Sequence, residues 1–232
     1  MSETNDITIV YYTANRISQY FATHTLKNLI KVANGIPIIA VSQLPLPASY
    51  DYFTIVIGDI GQSYLNIYKQ ALQGAKAAKT KYIALAEDDI LYGSDHFINR
   101  PNPGKFAYDM NVQAIYTWVK PPIFSRKNRR NLYTLICERE LFIEAMEERF
   151  AKYPDESNIN LGYWSEPGKY EKYLGVTVRE TEQFFSAVPN VAFSHENAVS
   201  YQNLGNRKKL GDQRTEEIPY WGKASDIMKL YA

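Results

Sequence analysis

The sequence predicts a mixed α/β fold, with a mostly parallel central sheet flanked by helices and a second, strand-containing region laid against it. Three observations predict it. Up to Tyr92, short apolar runs and amphipathic stretches follow the order strand, helix, strand, strand, helix, strand, which is the pattern of a parallel sheet. The fourth strand, "KYIALA", ends on three consecutive acids, Glu87, Asp88 and Asp89. Beyond Tyr92 the texture changes to loops, short alternating runs and aromatic-rich irregular segments.

"DITIVYYT" (6–13) is β-branched and aromatic, as a buried strand requires. In the stretch after it, Ile17, Phe21, Leu26, Leu29, Ile30 and Ala33 form a helical stripe that stops at Gly35. "IPIIAVS" (36–42) and "YFTIVIGD" (52–59) are further strands, separated by a proline-marked loop. Residues 63–79 read as a helix with Leu65, Tyr68, Leu72 and Ala75 on one face. In the second half, "FAYDMNVQAIYTWV" alternates like one or two antiparallel strands and "NLYTLIC" is a short strand. There 138–153 is a helix, "TVRETEQFFSAV" reads as helical, and "PNVAFSHENAVS" holds a strand ending near His195. The expectation is one domain over 1–232, with 1–92 as a nucleotide-binding half and 93–232 as an acceptor half with a C-terminal lid.

The totals narrow the class. The chain has 232 residues, 45% hydrophobic and 22% charged, with a formal net charge of +1. That charge gives no global argument for nucleic acid, so any such case rests on local clusters. No apolar run reaches the roughly 20 residues a membrane span needs. The first residues lack a signal-peptide pattern, and the one cysteine excludes an internal disulfide or a cysteine-rich zinc site. A soluble cytoplasmic protein is the expectation.

Adjacent carboxylates repel by about 1 kcal/mol per close pair in water and about 4 kcal/mol in a partly screened site. Three of them at a strand end therefore suggest a divalent cation, Mn²⁺ or Mg²⁺, that keeps open positions for phosphate oxygens. This is the logic of the Asp-X-Asp motif in enzymes that use nucleotide sugars. Glu87 and Asp89 form the outer pair, with Asp88 between them. The alternative is a solvated acidic turn. His195, after "NVAFS", suits a neutral nitrogen ligand or a structural role. His96 lies near the acids in sequence, and His24 is mid-helix. In "YYTANR", Thr13 and Asn15 can hydrogen-bond a base or ribose and Arg16 can meet a phosphate. Equally, the segment can be a helix start capped by Asn15 or Ser18.

Two basic runs stand out, "RKNRR" (126–130) and "NRKK" (206–209), with Arg214 beyond. The second suits a lid whose Arg207, Lys208 and Arg214 close over a diphosphate, and the first can track a phosphate backbone. Both can also be solvated faces. "YWSEPGKY" places Glu166 between aromatics and a Pro-Gly turn, as a general base or an exposed turn residue. Trp164 and Tyr163 are candidates to stack on a sugar or base.

The order of "AEDDILYGSDHF", "FAYDMNV", "LICEREL", "SEPG", "PNVAFSHEN" and "IPYWG" resembles GT-A-fold glycosyltransferases of the bacteriophage group related to base J glucosyltransferases. The resemblance spans about residues 7 to 222. It implies a GT-A-like, Rossmann-related sheet, a nucleotide-sugar donor with UDP-sugar favoured, and a divalent metal. Carried over by position, it implies Glu87, Asp89 and His195 at the metal, Lys69 and Gln70 near the nucleotide, and Glu166 as base. It also implies 5-hydroxymethylpyrimidine in double-stranded DNA as an acceptor class. Asp88 stands where the pattern has His, and Glu196 where it has Gly. The rival readings are transfer to a glycan or small molecule, and a non-catalytic binding module of the same fold. A sugar-nucleotide pyrophosphorylase is disfavoured, because "YYTANRISQY" lacks a glycine-rich phosphate loop.

Overall fold

The structure is a computed structural model that describes residues 6–47, 52–199, 210–211 and 213–231. The first strand, β1 (Ile7–Thr13), is buried along its whole length. It is followed by α1 (Gln19–Ala33), whose N-terminus is capped by Ser18, with Oγ accepting from the Phe21 amide. The helix ends on Asn34 in the left-handed region, with Gly35 next at φ +87°, where the sequence places its stop. Strands β2 (Ile38–Ser42) and β3 (Phe53–Val56) come next. Helix α2 (Tyr64–Ala77) is capped by Ser63. It presses on the sheet so closely that a Cβ at Gly74 would sit 2.3 Å from Val10 Cγ1. Strand β4 (Tyr82–Glu87) then leads into the acids.

Short β5 (Ile90–Leu91) follows the acidic turn, and after it come β6 (Lys105–Asp109), β7 (Val112–Tyr116), β8 (Phe124–Arg126) and β9 (Leu135–Glu138). Helix α3 (Arg139–Lys152) and the single turn α4 (Glu171–Leu174) flank the irregular segment that carries Glu166. The chain continues through β10 (Glu180–Phe184), β11 (Asn190–Ser194), β12 (Arg214–Thr215), β13 (Glu217–Ile218), β14 (Gly222–Lys223) and α5 (Ala224–Met228).

The central sheet has seven strands in the order β10-β6-β9-β4-β1-β2-β3. Only β9 runs against the rest. The predicted α/β class with a mostly parallel sheet is therefore what the chain adopts. Period-two alternation assigns each strand's side chains to two faces. Val10, Tyr12, Ile83 and Leu85 pack under α2 and α3. Ile7, Ile9, Tyr11, Ala84 and Ala86 pack under α1. A second sheet, β12-β8-β7-β11-β5, carries its own cluster around Phe21, Phe124 and Phe193. No helix among the described residues is long and apolar enough to cross a membrane.

One expectation is corrected. "TVRETEQFFSAV" holds strand β10, paired in parallel with β6, instead of a helix. The Lys105–Glu180 ion pair at 3.2 Å and the Asn102–Glu182 hydrogen bonds fix that edge, so tertiary pairing outweighs local preference. "FAYDMNVQAIYTWV" holds two strands, as read, each with an antiparallel partner, β9 for β6 and β8 for β7. β6 joins the large sheet and β7 the small one.

Candidate functional site

The parallel register of β1 and β4 sets Tyr12 beside Glu87, so both strands finish at one edge of the sheet. Ligands of open α/β sheets lie beyond such carboxyl ends. Tyr12 Oη donates to Glu87 Oε1 at 2.7 Å, and the Thr13 hydroxyl donates to Asp88 Oδ2. The turn then passes into β5 and so into the second sheet. Phe193 N donates to the Asp89 carbonyl at 3.0 Å. That bond fastens the end of β11 to the acidic turn and brings His195 to Asp89, with Nε2 to Oδ2 at 3.3 Å.

Burial sets the electrostatics. Removal from water, then the charge of Asp89, pushes the Glu87 carboxyl up to about 8, against the pull of the Tyr12 hydroxyl and the Lys127 charge. The same two causes push Asp88 up to about 6. Burial works against the His195 cation. The hydrogen bond and charge of Asp89, with Asp88 and Glu196 behind it, outweigh that and raise its pKa. Asp89 Oδ1 and His195 Nδ1 are buried without a hydrogen-bond partner.

Among the described residues no three His, Cys, Asp or Glu side chains form a ready metal cage. The expected trio of Glu87, Asp89 and His195 is thus not a preformed group, and Glu87 accepts from Tyr12. What remains is a carboxylate and an imidazole side by side, with one buried carboxylate oxygen unpartnered. Magnesium is typically held by one or two carboxylates plus substrate phosphates and water; Asp89 fits that chemistry, whereas the His195 imidazole is a ligand that suits transition metals.

A cavity of about 720 Å³ opens over this turn, within the range for a ligand of nucleotide size. Thr13, Arg16, Gln70, Glu87, Asp88, Asp89, Glu166 and His195 all line it. Gln70 is buried and donates from Nε2 to the carbonyls of Thr13 and Val41, at 2.8 and 3.1 Å. It thereby ties α2 to the ends of β1 and β2. Arg16 sits at the rim, paired with Asp59 at 2.8 Å.

Glu166 lines the same cavity. Its Oε2 accepts from the Ser165 hydroxyl and lies 3.4 Å from Lys169 Nζ. The loop is held from beneath by Arg149, whose Nη1 donates to the Ser165 carbonyl at 2.7 Å and whose Nη2 is 3.5 Å from Glu171 Oε1. Gly168, at φ +80°, packs where a Cβ would meet Thr181 of β10 at 2.1 Å.

Other candidates lie elsewhere. Asn15 is not in the cavity wall. Its Oδ1 accepts from the amides of Gln43 and Leu44, at 3.0 and 2.9 Å, and so joins the exits of β1 and β2. Lys69 is half-buried on α2, outside the wall. Arg214 is exposed on β12, with Nε donating to the Gly211 carbonyl. Arg207 and Lys208 lie outside the described residues. His96 is buried against Asp109, Nδ1 to Oδ2 at 2.9 Å, and is part of the core. His24 bonds the Tyr20 carbonyl within α1. Trp164, by contrast, does line the cavity, although it is 3% exposed and packs on Tyr68, Phe150 and Tyr153. Tyr163 stacks on Tyr173.

Sequence reasoning missed the inner wall. Lys127, Arg129, Tyr68 and Tyr133 also line the cavity. For Lys127 a signal existed. It follows the strand "FSR" directly, where alternation sends consecutive residues to opposite faces.

No family model matches the chain, and no curated protein matches its sequence. Solved structures resemble it in architecture. A nucleotidyl transferase from Methanothermobacter is 12% identical at a TM-score of 0.45, over 86% of this chain and 96% of that one. A Drosophila galactosyltransferase, complexed with manganese, UDP-Gal and xylobiose, is 10% identical at 0.45, over 90% and 77%. TarS of S. aureus, in complex with UDP-GlcNAc, is 9% identical at 0.49, over 82% and 58%. Likeness at this level assigns neither a family nor an activity.

Proposed function

We propose that the protein is a metal-dependent glycosyltransferase of GT-A-like design. It moves a sugar from a nucleotide-sugar donor, UDP-sugar favoured, to an acceptor hydroxyl. The observation that carries this reading is one cavity lined by the Asp88–Asp89 turn, His195 and Glu166 together.

Asp89 and His195 would hold Mn²⁺ or Mg²⁺. The bound ion would supply charge neutralisation at the diphosphate. Thr13, at the end of β1, and Gln70, midway along α2, would border the space for the nucleoside. Glu166 would accept the proton of the acceptor hydroxyl. In an inverting reaction the acceptor oxygen bonds to the anomeric carbon as the carbon–oxygen bond to the diphosphate breaks. The proton passes to Glu166, and the nucleoside diphosphate leaves. A retaining reaction would not need that base. The acceptor class we favour is a 5-hydroxymethylpyrimidine in DNA, which within a duplex must be flipped out at a cost of a few kcal/mol. We also propose that residues 1–92 serve the donor and 93–232 the acceptor.

The test is a turnover screen of UDP- and GDP-sugars with Mn²⁺ or Mg²⁺, with and without hydroxymethylated DNA. Metal-dependent release of nucleoside diphosphate is expected. An Asp89→Ala protein with wild-type turnover would end the metal reading. Transfer to a small glycan without stimulation by DNA would replace the acceptor.

A further inference from the structure

After β14 the chain runs through α5 and a further turn, Lys229–Tyr231. The proposed reaction makes no use of this segment, yet it is packed onto the second sheet. Ile227, Met228, Leu230 and Tyr231 close on the cluster of Phe21, Phe124 and Phe193, and Ala224 is buried within it. Trp221 Nε1 donates to the Pro189 carbonyl at 2.7 Å, just ahead of β11. That bond ties the start of the segment to the strand that leads to His195.

Tyr231 reaches that histidine. Its ring centre lies 5.6 Å from the centre of the imidazole, with the planes tilted by 38°. The same ring stacks on Phe193 at 6.2 Å and 17°, and meets Phe21 of α1 edge-on at 5.1 Å. These separations are those of aromatic contact. Phe193 and His195 lie two residues apart along one stretch of chain, and the phenol ring bridges both.

The imidazole has a particular need of such a neighbour. Nε2 faces Asp89 Oδ2 at 3.3 Å, so it is the nitrogen that an ion shared with Asp89 would take. A metal-binding histidine almost always donates from its other nitrogen to a carboxylate, a carbonyl or water, and that bond fixes the ring plane. Here the other nitrogen is Nδ1, which is buried and meets no donor or acceptor of the described residues. The outer torsion of a histidine is broad and roughly twofold, so no polar contact from the protein stops the ring from turning. Packing is left to hold the plane, and Tyr231 lies against it.

We infer that Tyr231 is a positioning residue for the metal site, its ring holding the His195 imidazole in the plane from which Nε2 and Asp89 can share one ion. The inference rests on the metal-dependent reading and adds to it a segment that reading does not use.

The test is titration with Mn²⁺ followed by electron paramagnetic resonance, with pulsed detection of the nitrogen coupling from a bound imidazole. The proteins are wild type, Tyr231→Phe, Tyr231→Leu and Tyr231→Met. Loss of the support behind a metal-bound histidine costs about 10–100-fold in metal affinity. Tyr231→Leu and Tyr231→Met are expected to weaken Mn²⁺ binding by that factor and to lose the nitrogen coupling. Tyr231→Phe keeps the ring and should retain both. A ring that only fills space would lower the melting temperature of the two ring-less variants in EDTA while Mn²⁺ affinity and nitrogen coupling stayed at wild-type values. That result would overturn the inference, as would a Tyr231→Phe protein that binds Mn²⁺ as weakly as the ring-less ones. Wild type gives a reading that needs no variant to fold: Mn²⁺ bound without imidazole coupling would overturn the inference and leave the ion on Asp89, with the glycosyltransferase reading standing. A wild type that binds no Mn²⁺ overturns both.

Discussion

His195 Nε2 lies 3.3 Å from Asp89 Oδ2, and each of these side chains keeps one further buried polar atom without a partner. The pair is assembled by the backbone, through the Phe193 amide on the Asp89 carbonyl. A divalent cation is therefore expected to stabilise the protein. At a hundred times its dissociation constant a ligand adds about 2.7 kcal/mol, a rise of about 5–10 °C in melting temperature for a chain of this size. Asp89→Asn and His195→Ala should each remove most of that rise. A wild-type melting temperature indifferent to Mn²⁺ and Mg²⁺ would exclude the site.

Without metal, stability should fall as the pH rises from about 5 to about 8. Glu87 and Asp88 have raised pKa values, about 8 and about 6 against ordinary values of 4.5 and 3.8. The folded chain therefore holds protons that the unfolded chain has already released, and deprotonation favours unfolding. His195, also raised, contributes in the same direction, because its stabilisation is lost as pH passes its folded pKa. Melting curves in EDTA check this, and Glu87→Gln should flatten the upper part of the profile. Stability that rises over this interval would contradict the burial of these acids.

Glu166→Gln should lower transfer by about 10²–10⁴-fold if the residue is the general base. UDP affinity should stay near wild type, since the loop remains anchored through Arg149. Single-turnover transfer and direct titration separate the two effects. Equal transfer rates would end the role.

Arg149 and Glu171 are 0% and 1% exposed in their side chains. Removing one partner of a buried pair costs about 3–5 kcal/mol, so Arg149→Met should lose that much in urea unfolding. It should also loosen the Glu166 loop, seen as faster amide exchange at Trp164 and Ser165. A loss below about 1 kcal/mol, the value of a surface pair, would show the pair is not buried in solution.

Much of this was legible before the fold. β1, β2, β4, α1 and α2 follow from apolar periodicity, because a strand buried on both faces and a helix on a sheet must carry those patterns. Asp89 and His195 were singled out for a similar reason: each follows the end of such a strand. β10 was misread because its residues are exposed to half-buried, "eiiei" along the strand, so no alternation marks it. Its identity comes from β6, which is distant in sequence. Lys127 was hidden inside a charge run, and charge runs usually face water. Only pairing with Val112 shows which of the run's cations is inside. The anchoring role of Arg149 had no sequence signal, since a salt bridge between α3 and α4 depends on tertiary contact.

The acidic turn lies where the chain leaves the seven-stranded sheet for the five-stranded one. Asp89 and His195 are fastened together on the smaller sheet, while Thr13 and Gln70 belong to the larger sheet and its helix. A donor filling the cavity would thus be gripped at its two ends by separately built platforms. A small-molecule inhibitor would gain most from two weak anchors, a metal chelator and a base mimic, joined by a linker cut to span that seam. The length of that linker, more than the chemistry of either end, would set its affinity.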